Sequence, residues 1–158
     1  MQVHPTAEKF KDAVREKFEL DLELNEFDEG TKTAEDAAEA IGCEVAQIAK
    51  SIVMKAGNEL VIVITSGVNE VDEKVLAEEV GVNPEIVGPA NPDEVKSKLG
   101  WGIGGVPPFA HEADPRIFLD THLEKFDIIW AAAGTPNAVF PIRMEELKRV
   151  ANPELIHL

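Results

Sequence analysis

A single cysteine, Cys43, stands in a chain of 158 residues, so no internal disulfide can form, which agrees with a reducing compartment. The four histidines, His4, His111, His122 and His157, are scattered and never sit four apart. One thiol and such histidines give no zinc-type ligand set, and no metal or cofactor is expected. Cys43 follows Gly42 with no histidine close by to activate it, and it reads as a small packing residue. Cations are scarce as well: fifteen Lys and Arg face thirty Asp and Glu, a formal net charge of −15 at pH 7. Such a chain repels a phosphate backbone at long range, which argues against broad nucleic-acid binding and against DNA in particular. One local cluster, Lys9, Lys11, Arg15 and Lys17, could still receive one end of an RNA. Glu8, Asp12 and Glu16 interleave with it, and the same residues also fit an ordinary solvated helix face. No apolar run approaches the roughly 18–20 residues that cross a bilayer. The start, Met1–Thr6, has neither a basic nor an apolar stretch, so no secretion signal is read and a cytoplasmic location is expected.

What is present is ordinary for a globular chain: 44% hydrophobic and 28% charged residues, without repeats or low-complexity tracts. The length predicts one domain over residues 1–158. Thr6 is expected to cap a first helix with Phe10, Ala13, Val14 and Phe18 on one face, and Leu20–Leu24 alternates like a half-buried strand. Thr33 and Gly42 bracket a helix over Ala34–Ile41, followed by a short helical turn over Val45–Lys50. Ser51–Lys55 and Leu60–Thr65 pair as a hairpin through Gly57-Asn58. Asp72 opens a helix ending at Gly81, Glu85–Val87 is a short strand, and Asn91-Pro92 opens a helix that stops before Gly100. Strands are expected at Arg116–Asp120, Ile128–Ala133 and Ala138–Ile142, with a closing helix over Glu145–Val150. The pattern lacks strict βαβ alternation. It predicts an α+β fold: a curved, mixed, largely antiparallel sheet of six to seven strands surrounded by helices.

The glycines at 100, 102, 104 and 105 invite comparison with a phosphate loop, but the context excludes one. Phosphate loops follow a strand and open a helix. These glycines follow a helix and run into Val106-Pro107-Pro108, where two prolines remove amide donors and force an extended backbone. A rigid wall that a ligand approaches closely fits better. Lys50, between Ile48-Ala49 and Ile52-Val53, is either a snorkelling lysine or one that grips a phosphate or an ester carbonyl. Ser51, Thr65, Ser66 and Thr135 offer hydroxyls without a Gly-x-Ser-x-Gly elbow. Trp101 and Trp130 read as core or pocket wall, because basic residues and aromatics do not interleave.

Taken in order, Thr33–Gly42, Ile48-Ala-Lys50-Ser-Ile-Val, Leu60–Ile64, Val71-Asp72, Gly104-Gly-Val-Pro-Pro-Phe109 and Gly134–Phe140 resemble the YbaK family, the free-standing relatives of the editing domain inserted in bacterial prolyl-tRNA synthetases. The resemblance runs from Thr31 to Val150. It implies a trans-editing deacylase that hydrolyses the ester of a mischarged small or medium amino acid on tRNA, substrate-assisted and without metal. Its partner would be the aminoacyl-tRNA acceptor end, with an aminoacyl-tRNA synthetase as a second candidate partner. By the same resemblance Lys50 is the functional lysine. Ser51, Gly104, Gly105, Val106, Gly134, Thr135 and Asn137 contact substrate, and Pro107, Pro108 and Phe109 set the pocket's size. Asn137 stands where many relatives carry histidine; it can exchange hydrogen bonds but cannot take a proton near neutral pH. The alternative is a binding module that keeps the pocket for tRNA 3′ ends or an amino-acid-like ligand.

Overall fold

The computed structural model describes residues 4–27 and 33–158; Thr31, where the resemblance begins, lies outside them. Helix α1 runs Pro5–Phe18, with buried Ala7, Phe10 and Val14 on one face. His4, not Thr6, is its cap: the His4 side chain accepts from the Thr6 amide. Pro5 has no amide to satisfy and sits well at the first helical position. The alternating Leu20–Leu24 segment turns Leu22 inward, with Leu20 and Leu24 packed against the same core, yet it forms no strand. Only Asn25–Glu26 (β1) joins a ladder. Alternation reports burial, and burial here comes without a ladder partner.

Helix α2 (Ala34–Ile41) is capped by Thr33 and closed by Gly42 as the sequence predicts. A 3₁₀ turn, Val45–Gln47, follows. Strand β2 then starts at Ile48 rather than Ser51 and runs to Ala56, so Lys50 lies inside the strand. The Gly57-Asn58 turn leads to β3 (Glu59–Ser66) in antiparallel register, Ala56 opposite Glu59. Helix α3 (Glu73–Val80) precedes β4, which is Val87–Pro89. The expected Glu85–Val87 strand is displaced because Asn83 caps a 3₁₀ turn over Pro84–Ile86. Helix α4 (Pro92–Leu99), β5 (Arg116–Asp120), β6 (Ile128–Ala132), β7 (Ala138–Arg143) and α5 (Met144–Ala151) follow the predicted pattern. A three-residue β8 (Glu154–Ile156) completes the sheet.

Among the described residues eight strands form one mixed sheet in the order β1-β7-β6-β2-β3-β5-β8, with β4 also pairing β2. Pairs β2–β6, β3–β5 and β5–β8 are parallel, and the other four are antiparallel. Strand β3 is buried on both faces, which explains its unbroken apolar run from Leu60 to Ile64. On one face Ile62 and Ile64 join α1, α4 and α5 in a core that includes Phe10, Phe109 and Phe140, with ring centroids 5.3–5.9 Å apart. On the other, Val61 and Val63 pack with Leu76, Val87 and Phe118, while α2 packs on Ile48 and Trp130.

Candidate functional site

Strand β2 has two different neighbours on the edge away from β3. Strand β6 pairs only Ile48 and Ala49, and β4 pairs only Met54, Lys55 and Ala56. Residues 50–53 therefore have no ladder partner on that edge. The Ile48 carbonyl accepts from Gly67 on the β3 side, and the Val53 carbonyl accepts from Ala90 on the opposite side. By that alternation the Ser51 amide and carbonyl point into the gap.

A cavity of about 470 Å³ occupies this gap, within the range of small-molecule sites. Ile48–Val53 form its floor, and α2 supplies one wall through Ala34 and Ala37, with Thr33 beside them. Trp130, Ala131 and Ala132 of β6, with Val139 and Pro136, supply another. Ile103, Gly104 and Val106 close it. Lys50, Ser51, Gly104 and Val106, separated by more than fifty residues, thus meet at one cavity.

Lys50 is half-buried, and its Nζ donates to the Asn69 carbonyl at 3.3 Å. Among the described residues it has no carboxylate partner within ion-pair distance. Asn69 is itself held: its Nδ2 donates at 2.9 Å to Asp120, a 1%-exposed carboxylate that also accepts the Ser66 and His122 amides at 3.0 and 2.9 Å. The sequence offers too many carboxylates for Asp120 to stand out. Ser51 Oγ is buried without a hydrogen-bond partner among the described residues. An orphaned buried hydroxyl costs about 1–3 kcal/mol.

In the Gly-Pro loop the Gly105 amide is already donated to the Gly102 carbonyl at 3.1 Å. The amides of Gly104 and Val106 have no protein acceptor among the described residues, and Pro107 and Pro108 have none to give. Gly105 sits directly against the β6–β7 turn: a Cβ there would lie 2.6 Å from Thr135 Cα and 2.7 Å from its nitrogen. The two sequence motifs are therefore one packed unit.

The other site residues expected from the sequence do not line the cavity. Phe109 is 2% exposed and belongs to the aromatic core, packed edge-on against Phe18 at 5.7 Å. Pro107 and Pro108 are buried. Gly134 and Thr135 are buried in the turn. Asn137 lies beside the lining residue Pro136, and its carbonyl accepts from the Phe27 amide at 2.8 Å. Trp130 is a wall of this cavity, whereas Trp101 is packed in the core away from it. The half-buried Cys43 thiol is pushed up by burial, as befits a packing residue. Among the described residues no three His, Cys, Asp or Glu side chains gather as metal ligands, and no helix is long and apolar enough to cross a membrane.

His111, unremarkable in the sequence, holds this loop. Its Nε2 lies 2.7 Å from the Pro107 carbonyl, which can only accept, so the ring is protonated there. The side chain is 7% exposed, and burial pushes its pKa down from 6.5 to about 4, against the hydrogen bond's opposing effect. The unfolded chain then binds the extra proton between these values. Stability is fully present above about pH 6.5 and falls toward pH 4, by on the order of 3 kcal/mol. Urea midpoints of the wild type are expected to drop between pH 6.5 and 5 more than those of His111→Gln. Equal drops would contradict a buried neutral imidazole.

The sequence profile of the aminoacyl-tRNA editing domain matches residues 28–150. Uncharacterized protein YwhH of Bacillus subtilis (strain 168) is 31% identical over 126 residues, 79% of this chain and 78% of that protein. Proline--tRNA ligase of Limosilactobacillus fermentum is 34% identical over 100 residues, 60% of this chain but 17% of the ligase. A crystal structure assigned provisionally as a trans-editing enzyme for prolyl tRNA synthetase matches at 32% identity and a TM-score of 0.92, covering 99% of this chain and 98% of that one. With its profile match spanning most of the molecule and its fold shared end to end with such a relative, the chain belongs to the aminoacyl-tRNA editing domain family.

Proposed function

We propose that this protein is a free-standing aminoacyl-tRNA deacylase that hydrolyses the ester of a small or medium amino acid mischarged on tRNA, tRNA-Pro being the first candidate. The observation that carries this reading is the convergence of Lys50 with Gly104 and Val106 on one apolar cavity. In the reaction water adds to the ester carbonyl and the carbonyl–ribose oxygen bond breaks, releasing the amino acid and a free ribose hydroxyl. Lys50 supplies a fixed positive charge for the terminal phosphate or the developing oxyanion. The Gly104 and Val106 amides, and the Ser51 amide on the sheet edge, are donors that a bound ester would engage. Gly105 is removed from that set by its bond to Gly102.

No His, Asp, Glu or Cys is among the described residues that line the cavity. The reading assigns the proton from the attacking water to the substrate, through its amino group or the neighbouring ribose hydroxyl, without a metal, as the resemblance to the YbaK family implies. Small walls at Ala49, Ala131 and Ala132 reject large side chains by clash. They discriminate poorly against smaller ones, because one methylene is worth only about 1–3 kcal/mol.

The test is a deacylation panel on tRNA-Pro and tRNA-Ala charged with amino acids of increasing size, with and without a chelator. Hydrolysis confined to small and medium residues and indifferent to chelation is expected. Equal rates on bulky aromatic esters, or loss of activity with the chelator, would contradict the reading.

A further inference from the structure

Seven of this chain's fifteen cationic side chains are neutralised where they stand. All four arginines, Arg15, Arg116, Arg143 and Arg149, pair with carboxylates, as do Lys55, Lys98 and Lys148. The other lysines among the described residues carry no ion pair, and three of them gather around Gly100. Lys9 and Lys17, two turns apart on one face of α1, line a second groove of about 190 Å³ whose far side is Gly100, Trp101 and His111. Lys96 of α4 reaches the same place, its Nζ donating to the Gly100 carbonyl at 3.3 Å. None of the three has an ion-pair partner among the described residues. Lys9 Nζ lies over the Trp101 ring, 5.3 Å from its centroid, a contact that orients the ammonium without neutralising it. One carboxylate, Glu112, lines the groove, and Asp12 and Glu16 stand on neighbouring positions of α1.

The groove is joined to the main cavity by one short stretch of chain. Gly100 and Trp101 line the groove; Ile103 and Gly104 line the cavity. Two residues of extended backbone reach at most about 7 Å. An RNA strand whose 3′ terminal ester occupies the cavity must leave it as a phosphodiester backbone. The rest of this acidic surface repels that backbone, and a neighbouring groove with unneutralised lysines attracts it.

We propose that the groove between α1 and the Gly100–Glu112 segment binds the phosphates of the RNA acceptor strand through Lys9, Lys17 and Lys96. The proposal rests on the deacylase reading for the strand's direction, and its test separates the two. The probe is an RNA minihelix of the tRNA-Pro acceptor stem ending in CCA, titrated by fluorescence anisotropy across a salt series. Wild type is compared with Lys9→Glu/Lys17→Glu and with Glu112→Gln, and each is also assayed on an aminoacyl-adenosine ester that carries no phosphate.

The lysine reversal is expected to weaken minihelix binding by about tenfold or more and to flatten the log–log salt slope by about 1.4, for two phosphates of a single strand. Glu112→Gln tightens binding, and hydrolysis of the phosphate-free ester is unchanged in all three. Undiminished binding with an unchanged slope in the lysine variant, while wild type still hydrolyses the ester, overturns the groove and leaves the deacylase standing. A wild type that neither binds the minihelix nor hydrolyses the ester overturns both.

Discussion

Gly105→Ala is expected to be among the most damaging single-methyl additions in this protein. The new Cβ would lie 2.6, 2.7 and 2.8 Å from Thr135 Cα, N and C, all of them backbone atoms that cannot rotate away. The Gly104–Phe109 loop and the β6–β7 turn must separate, and overpacking of this kind costs roughly 1–3 kcal/mol or more. The displacement also moves Val106 and Gly104, which close the cavity. Deacylation is therefore expected to fall more steeply than stability. Gly102→Ala is the internal control: its Cβ would meet nothing within 4 Å, and its φ is not in the positive range. It should change stability by less than about 0.5 kcal/mol. Equal urea midpoints for the two variants would show that the loops do not bear on one another as described.

Lys50→Ala is expected to lower kcat/KM for deacylation by about 10²–10³-fold, the usual cost of deleting a group aimed at developing negative charge. Folding should be little affected. The ammonium makes one hydrogen bond, to a neutral carbonyl at 3.3 Å, and removing a half-buried charge relieves desolvation. Lys50→Arg should not restore the rate, because a planar guanidinium does not replace a compact ammonium in a slot between strands. Measuring kcat/KM beside the urea midpoint separates the two roles. A loss of midpoint with retained activity would make Lys50 a packing residue.

Local chemistry made much of this fold legible. Thr33, Asp72 and Asn91 cap their helices by side-chain bonds to the first-turn amides, and Gly42, Gly81 and Gly100 end them. The Gly57-Asn58 hairpin and the doubly buried Leu60–Ile64 strand carry their signals in adjacent residues. Non-local pairing left weaker traces. Leu20–Leu24 has a strand's alternation but no ladder, and β8 is three residues that exist as a strand only because β5 lies beside them.

The site divides the same way. Lys50, Ser51, Gly104 and Val106 come from two recognisable motifs and meet at the cavity. Phe109, at the end of one of those motifs, is drawn into the aromatic core with Phe10 and Phe140, since a ring gains more from full burial than from lining a pocket. The opening in the sheet at residues 50–53 depends on where β6 and β4 stop pairing. His111 matters through a carbonyl four residues before it in a loop of irregular backbone. Neither has a periodic signature in the sequence.

The central claim is that the β2 edge and the Gly-Pro loop form a hydrolytic site for aminoacyl esters. Its most direct test is the rate of amino-acid release from mischarged tRNA-Pro at saturating enzyme, followed for wild type, Lys50→Ala and buffer alone. Release by wild type well above the buffer rate, returning close to it with Lys50→Ala, is the predicted result. Wild-type release no faster than buffer on every mischarged species would contradict it, and the cavity would then be a binding site without a reaction.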